Sequence, residues 1–157
     1  ERSRQYSFFV ETVRMLEEIG ISEIHFKLHP SLSVNAGYFE KIIEHFGLNC
    51  TIVHDGDFRE HVEWSDIVIG PVNSAAMLEV MATEKPYYPI LLAPHSINLK
   101  YLNDCPLYKN VGALREALEN KEKPECAQTL EYFTSSAKIE NPAEKSWQAI
   151  RTYTRLS

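Results

Sequence analysis

Four stretches of this sequence place polar, chemistry-bearing side chains at or just after short apolar runs. Lys27, His29, Pro30 and Ser31 end the run Ile24-His25-Phe26; His54 and Asp55 follow Thr51-Ile52-Val53. Gly70, Pro71, Asn73 and Ser74 follow Asp66-Ile67-Val68-Ile69, and Pro94, His95 and Ser96 follow Tyr88 to Leu92. A histidine held by a following proline, as in His29-Pro30, can donate a hydrogen bond to a phosphate oxygen and, when protonated, add charge. Its plainer reading is a partly exposed loop histidine. Gly70-Pro71-Val72-Asn73-Ser74 reads as a tight turn into a helix start, where backbone N–H groups lack intrahelical partners and the dipole favours an anion. The small residues Ser74, Ala75 and Ala76 would let a phosphate approach that backbone closely. The plainer reading is that Asn73 or Ser74 serves only as a helix N-cap. Glu79 lies five residues further on, roughly 7.5 Å along a helix axis, within reach of ribose hydroxyls if phosphates sit at the helix start. It reads equally as a helix-surface glutamate.

Other chemistries lack their residues. There is no Walker-type or GxGxxG glycine loop and no GxSxG nucleophile motif. His25, His29, His54 and His95 have no carboxylate or cysteine partner at a known ligand spacing, so no metal site is expected. The aromatic residues Tyr87, Tyr88, Trp64 and Trp147 are read as core or interface residues.

The elements that must position these residues follow from periodicity. Helices are predicted over 4–19, with Phe8, Val13, Leu16 and Ile19 at helical spacing before Gly20, and over 36–46, with Phe39, Ile42, Ile43 and Phe46 inward before Gly47. Further helices are predicted over 57–64, from Asn73 or Ser74 to Thr83, and over 111–119, 124–136 and 142–154. Strands are predicted over 22–28, 50–53, 66–69 and 88–92, with Pro89 marking the last as irregular or near an edge. Strands alternating with helices imply right-handed crossovers and one mostly parallel sheet covered on both faces, a Rossmann-like α/β fold. In such a sheet ligands bind outside the carboxyl ends of the strands, which is where the four polar stretches fall. Such a sheet usually begins with a strand, whereas this sequence opens on a helix. A fragment of a longer chain is therefore expected.

Composition bounds the function. The 157 residues suffice for one domain, and 44% hydrophobic with 24% charged residues is ordinary for a soluble globular protein. A net charge of −6 argues against nucleic-acid binding, which needs a basic face. No apolar run approaches the ~20 residues needed to span a bilayer, and no signal peptide is visible. Three cysteines, Cys50, Cys105 and Cys126, with no CxxC pair, argue against a disulfide framework and for a reducing cytoplasm.

Two segments resemble a known family. Phe26-Lys27-Leu28-His29-Pro30-Ser31 resembles its "K-x-H-P" segment. Ser65 to Glu79, followed by Lys85-Pro86, is similar to its strand–turn–helix segment carrying small hydroxyl residues and a glutamate. Both occur in this order in the C-terminal domain of GT-B fold glycosyltransferases: bacterial sialyltransferases, polysialyltransferases, capsule Kdo transferases and the related CDP-glycerol glycerophosphotransferases. The resemblance covers about residues 10–100. It implies one half of a GT-B fold, with a nucleotide-sugar donor, expected to be a CMP-sugar, in a cleft shared with an N-terminal domain of the same chain. It implies donor-binding roles for Lys27, His29, Pro30, Gly70, Asn73, Ser74, Ala75 and Glu79, with His29 as the catalytic residue, and no cofactor or bound metal. His54, Asp55 and His95 are second-rank cleft candidates. The acceptor would be a surface glycan or lipid-linked hydroxyl, and the location cytoplasmic, with a peripheral position at the inner face of the membrane as a further expectation. One departure is Asn73-Ser74 where the family often has tandem Ser-Ser or Ser-Thr. Another is that the family's catalytic base lies in the N-terminal domain, so no base is assigned and this domain alone is expected to be inactive. Alternatives are a CDP-alcohol phosphotransferase, a UDP-sugar transferase or epimerase, a non-catalytic nucleotide-binding or assembly domain, or a flavodoxin-like module.

Overall fold

The computed structural model describes residues 2–28, 36–54, 56–72, 74–83, 85–91, 102 and 104–135. In chain order the elements are α1 (Arg2–Glu18), β1 (His25–Lys27), α2 (Ala36–Phe46), β2 (Thr51–Val53), α3 (Phe58–Trp64), β3 (Val68–Pro71), α4 (Ala75–Met81), β4 (Tyr87–Ile90), α5 (Val111–Glu119) and α6 (Ala127–Ser135). The expected alternation of helix and strand is present, and the class is α/β. The predicted helix over 142–154 and Trp147 lie outside the described residues.

Helix ends follow local chemistry. Gly20 and Gly47 adopt positive φ, +88° and +60°, immediately after α1 and α2. The N–H groups of Ile21 and Leu48 then turn back to the carbonyls of Leu16 and Ile43, which caps both helices. Asp57 caps α3 by accepting from Arg59 N–H at 3.0 Å, and Asn110 caps α5 by accepting from Ala113 N–H at 2.9 Å.

β1 pairs with β2 in parallel, with Phe26 opposite Ile52. β3 pairs with β4 in parallel, with Gly70 opposite Pro89, and Ile90 forms a further parallel bridge to Tyr108. The expectation of one continuous sheet is therefore met only as two parallel pairs, since no described strand joins β1 to β3. Gly70 and Pro71, predicted to end the third strand, lie inside it, because β4 is long enough to pair with both. Pro89 sits within β4 without breaking a bond to β3. The N–H of Val72 reaches Ile90 and that of Tyr108 reaches Pro89, so residue 89 turns its backbone away from β3 and its nitrogen removes no β3–β4 bond.

Three clusters of buried side chains hold the layers. On one face of β1 and β2, Phe9, Val10 and Val13 of α1 pack with Phe39 of α2, Phe26 and Ile52. Met15 and Leu16 of α1 pack with Leu114 of α5, Tyr88 and Tyr108, and with Ile24, Ile67 and Ile69. On the opposite face of β3 and β4, Val68, Val72, Tyr87 and Leu91 pack with Val62 of α3 and with Met77 and Val80 of α4. Helices α1, α2 and α5 thus cover one face, and α3 and α4 the other.

Two sequence expectations need correction. Phe46, predicted to point inward, is 42% exposed and lies beneath the Arg14 guanidinium, 5.3 Å from ring centre to Cζ. It falls in the last turn of α2, past the reach of the strands. The argument against a disulfide framework missed one bridge: Cys105 and Cys126 are disulfide-bonded, leaving Cys50 free. A separation of 21 residues carries no motif, and only the packing of α6 brings the two together.

Candidate functional site

The residues singled out in the sequence fall into two groups. The first lies where β1 and β2 end. Lys27 and Val53 are opposite each other in the register, so both strands deliver their next residues to one edge. The Lys27 ammonium spans to the turn after β2 and donates to the carbonyls of His54 at 3.2 Å and Gly56 at 3.4 Å. Gly56 turns at φ +88°, and a Cβ there would lie 3.0 Å from His61 Nε2. His54 points instead toward α2, with Nε2 3.4 Å from Glu40 Oε1, an ion pair once the imidazole is protonated. His29, Pro30 and Asp55 lie outside the described residues.

The second group is the β3–α4 turn. Gly70 is buried, and a Cβ on it would meet the Tyr87 hydroxyl at 2.6 Å. That hydroxyl donates to the Pro71 carbonyl at 3.0 Å, so Tyr87 props the turn from beneath. Burial pushes the Tyr87 hydroxyl well above the usual phenol range, which keeps it a neutral donor. Ser74 is the N-cap of α4: its Oγ accepts from Ala76 N–H at 3.3 Å. The Ser74 hydroxyl proton is not used in that bond and can donate outward. Ala75 and Glu79 are exposed on α4, and Ser74 is half-buried. Asn73 and His95 lie outside the described residues.

The structure gives supporting roles to residues that the sequence reading had named without one. Tyr87, read as a plain core aromatic, fixes the Pro71 carbonyl. Lys85 holds the end of α3, donating to the carbonyls of Glu63 at 3.0 Å and Ser65 at 2.7 Å. This is the favourable place for a cation, at a helix C-terminus. Trp64, also read as core or interface, is 48% exposed and stacks on His25, with ring centroids 3.9 Å apart and planes 5° from parallel. The alternation of strand β1, which turns His25 and Lys27 to the face opposite Phe26, was the available signal for that pair.

The free thiol of Cys50 is pushed up to about 11 by burial and by the nearby Glu17 carboxylate. This is the reverse of what an activated thiolate nucleophile requires. Among the described residues no three His, Cys, Asp or Glu side chains converge on a point that could hold a metal ion. No helix of the described residues is long and apolar enough to cross a membrane. No family model, curated protein or solved structure matches this chain.

Proposed function

We propose that this chain is the donor-binding half of a two-domain glycosyltransferase that moves a sugar from a CMP-activated donor to a hydroxyl of a surface-glycan or lipid-linked acceptor. The observation that carries this reading is the β3–α4–β4 unit. It is a parallel strand–helix–strand in which a buried glycine, a braced carbonyl and a serine N-cap form the turn at the carboxyl end of β3. Such a turn supports an anionic ligand in open α/β sheets. The support here is local: the N–H groups of Ala76 and Met77 are taken by the Ser74 hydroxyl and carbonyl oxygens, so the outward proton of Ser74 would face the phosphate oxygens. In a net acidic chain the site has to work through such placed donors rather than through bulk charge.

In this mechanism the acceptor oxygen attacks the anomeric carbon and CMP departs. Ser74 and His29 would stabilise the charge that builds on the leaving phosphate. Glu79 would hold the ribose hydroxyls and Lys27 would hold the neighbouring β2 turn in place. The acceptor's proton goes to a base supplied by the other half of the protein.

The test is a calorimetric titration of the full-length protein with CMP, CDP, UDP and ADP. CMP is expected to bind most tightly. Ser74→Ala and His29→Ala are each expected to weaken CMP by more than tenfold, about 1.4 kcal/mol or more. A preference for CDP or UDP would transfer the site to a CDP-alcohol phosphotransferase or a UDP-sugar enzyme. Full-length protein that binds none of the four would leave a non-catalytic domain and end the transferase reading.

A further inference from the structure

We propose that the outer flank of α2, with the adjoining edge of α1, is an interface on which a second copy of this chain seats about a twofold axis. The inference is independent of the nucleotide reading. The first observation is an apolar row that the core leaves uncovered. Phe39 and Ile43 turn inward to the β1–β2 cluster, so Tyr38, Ile42 and Phe46 run along one flank of α2 at i, i+4 and i+8. Tyr38 is 65% exposed, Phe46 is exposed and Ile42 is half-buried. Single exposed aromatics are ordinary, whereas these three form a continuous strip. Tyr6 of α1 stacks on Tyr38, with ring centroids 6.4 Å apart and planes 11° from parallel, and Arg14 of α1 lies over Phe46. Rings fixed in this way lose little further freedom when a partner arrives. With Lys41, Glu44 and His45 the strip lines an open groove of about 610 Å³.

The second observation is charge. Lys41 and Glu44 border the groove on its outer side, and both are exposed. Among the described residues neither has an ion-pair partner, whereas Glu40 on the same helix lies 3.4 Å from His54. A border of a single sign would fit a surface of the opposite sign. A border with one cation and one anion is complementary to a copy of itself. The chain as a whole carries −6, which disfavours an anionic partner on this face.

Symmetry then sets the register. A twofold axis makes the same patch serve both subunits. With the axis perpendicular to α2 and beside Ile42, the two copies of α2 run antiparallel, and each flank meets the same flank of its partner. Residues equally far before and after Ile42 then lie side by side. Tyr38, four residues before, meets Phe46 of the partner copy, four residues after, and Ile42 meets itself. Lys41, one residue before, comes within one helical rise, about 1.5 Å, of Glu44 of the partner copy, two residues after. The i, i+4 rows 38–42–46 and 41–45 are the ridges by which two helices interdigitate. The aromatic strip supplies the affinity. The exposed Lys41–Glu44 pairs contribute little to it and fix the register.

The test is sedimentation equilibrium of the full-length protein. Its mass should rise with concentration to that of two chains. Tyr38→Glu should weaken the dimer at least about a hundredfold, because the residue occurs twice in the interface, with the circular dichroism spectrum unchanged. Lys41→Glu and Glu44→Lys should each weaken it about tenfold, since each sets like charges against each other. An equimolar mixture of these two variants should recover the dimer, because every facing pair is then of opposite sign. A protein that keeps the mass of one chain up to about 1 mM would overturn the proposal. So would a dimer that Tyr38→Glu leaves intact, or a mixture of the two charge variants that pairs no better than either alone.

Discussion

At the scale of single residues, the β3–α4 turn depends on one side chain that is absent and one that is buried. Gly70 has no Cβ, and the Tyr87 hydroxyl occupies the space one would take. Gly70→Ala must push the Tyr87 ring, also met at 3.2 Å, or lift the strand off it. Such overpacking is expected to cost about 1–3 kcal/mol, read by urea denaturation. Tyr87→Phe alone should cost about 1 kcal/mol through the lost bond to Pro71. The double variant should cost clearly less than the sum of the two, because the closest clash is with the hydroxyl itself. Strict additivity would show that the turn is not braced from beneath as described. Sequence alone marked Gly70 as part of a turn but gave no reason to link it to Tyr87, which lies 17 positions away and in another strand. Lys27 and His54 were both legible as residues at strand ends. That Lys27 spends its hydrogen bonds on the carbonyls of His54 and Gly56 required their strands to be paired.

At the scale of elements, α6 is held from outside. The Asp104 carboxylate accepts from Gln128 N–H at 2.6 Å and from Thr129 N–H at 3.0 Å and its hydroxyl at 2.7 Å, so a distant residue caps the first turn of α6. Burial alone would raise the Asp104 carboxyl, but the Thr129 hydroxyl and the backbone N–H groups of Gln128 and Thr129 outweigh it and hold it below its ordinary 3.8. A group depressed in the folded state stabilises above its unfolded value and loses that contribution as pH falls through the folded one. Asp104→Ala is expected to cost about 1 kcal/mol at pH 7, and to cost progressively less as the pH is taken below 4. A deficit unchanged between pH 7 and pH 3, measured by denaturation at each, would contradict the capping role. One residue along, Cys105 ties the same segment to Cys126 just before α6. Closing a loop with a sequence separation of 21 residues should stabilise by about 3 kcal/mol through the unfolded chain. Cys105→Ser/Cys126→Ser is therefore expected to lower the denaturation midpoint, and the parent to show the same drop under reductant. Equal midpoints with and without reductant would mean that the bridge does not form in solution. Neither latch was readable from the sequence, since aspartate and cysteine at these spacings match no local cap or motif.

At the scale of the whole molecule, stability rests on α1, because its two halves serve different clusters. Val10 and Val13 pack on the β1–β2 side, while Met15 and Leu16 meet α5, Tyr88 and Tyr108. Leu114 of α5 is completely buried in the second of these clusters. Leu114→Ala is expected to cost about 2–5 kcal/mol, at the upper end if the surrounding tyrosines cannot close the cavity. A loss under 1 kcal/mol by thermal or chemical denaturation would mean that the α1–α5 contact does not hold the molecule together.

Local physics was enough for much of this protein. The apolar periods of 3.6 and 2 were sufficient to place α2 and α5 and to place the cores of the four strands, because period, glycine stops and N-caps act within a few residues. The sequence likewise determined which polar residues stand at strand ends, since that follows from where each apolar run stops. Tertiary structure alone decided that the described strands form two parallel pairs, because pairing depends on edges brought together by crossover connections through whole helices. It also decided that Tyr87 reaches Pro71, Asp104 caps α6 and Cys105 meets Cys126. Those contacts join residues far apart in the chain, and only the closed packing of helices on both faces of the strands brings them within hydrogen-bonding or bonding distance.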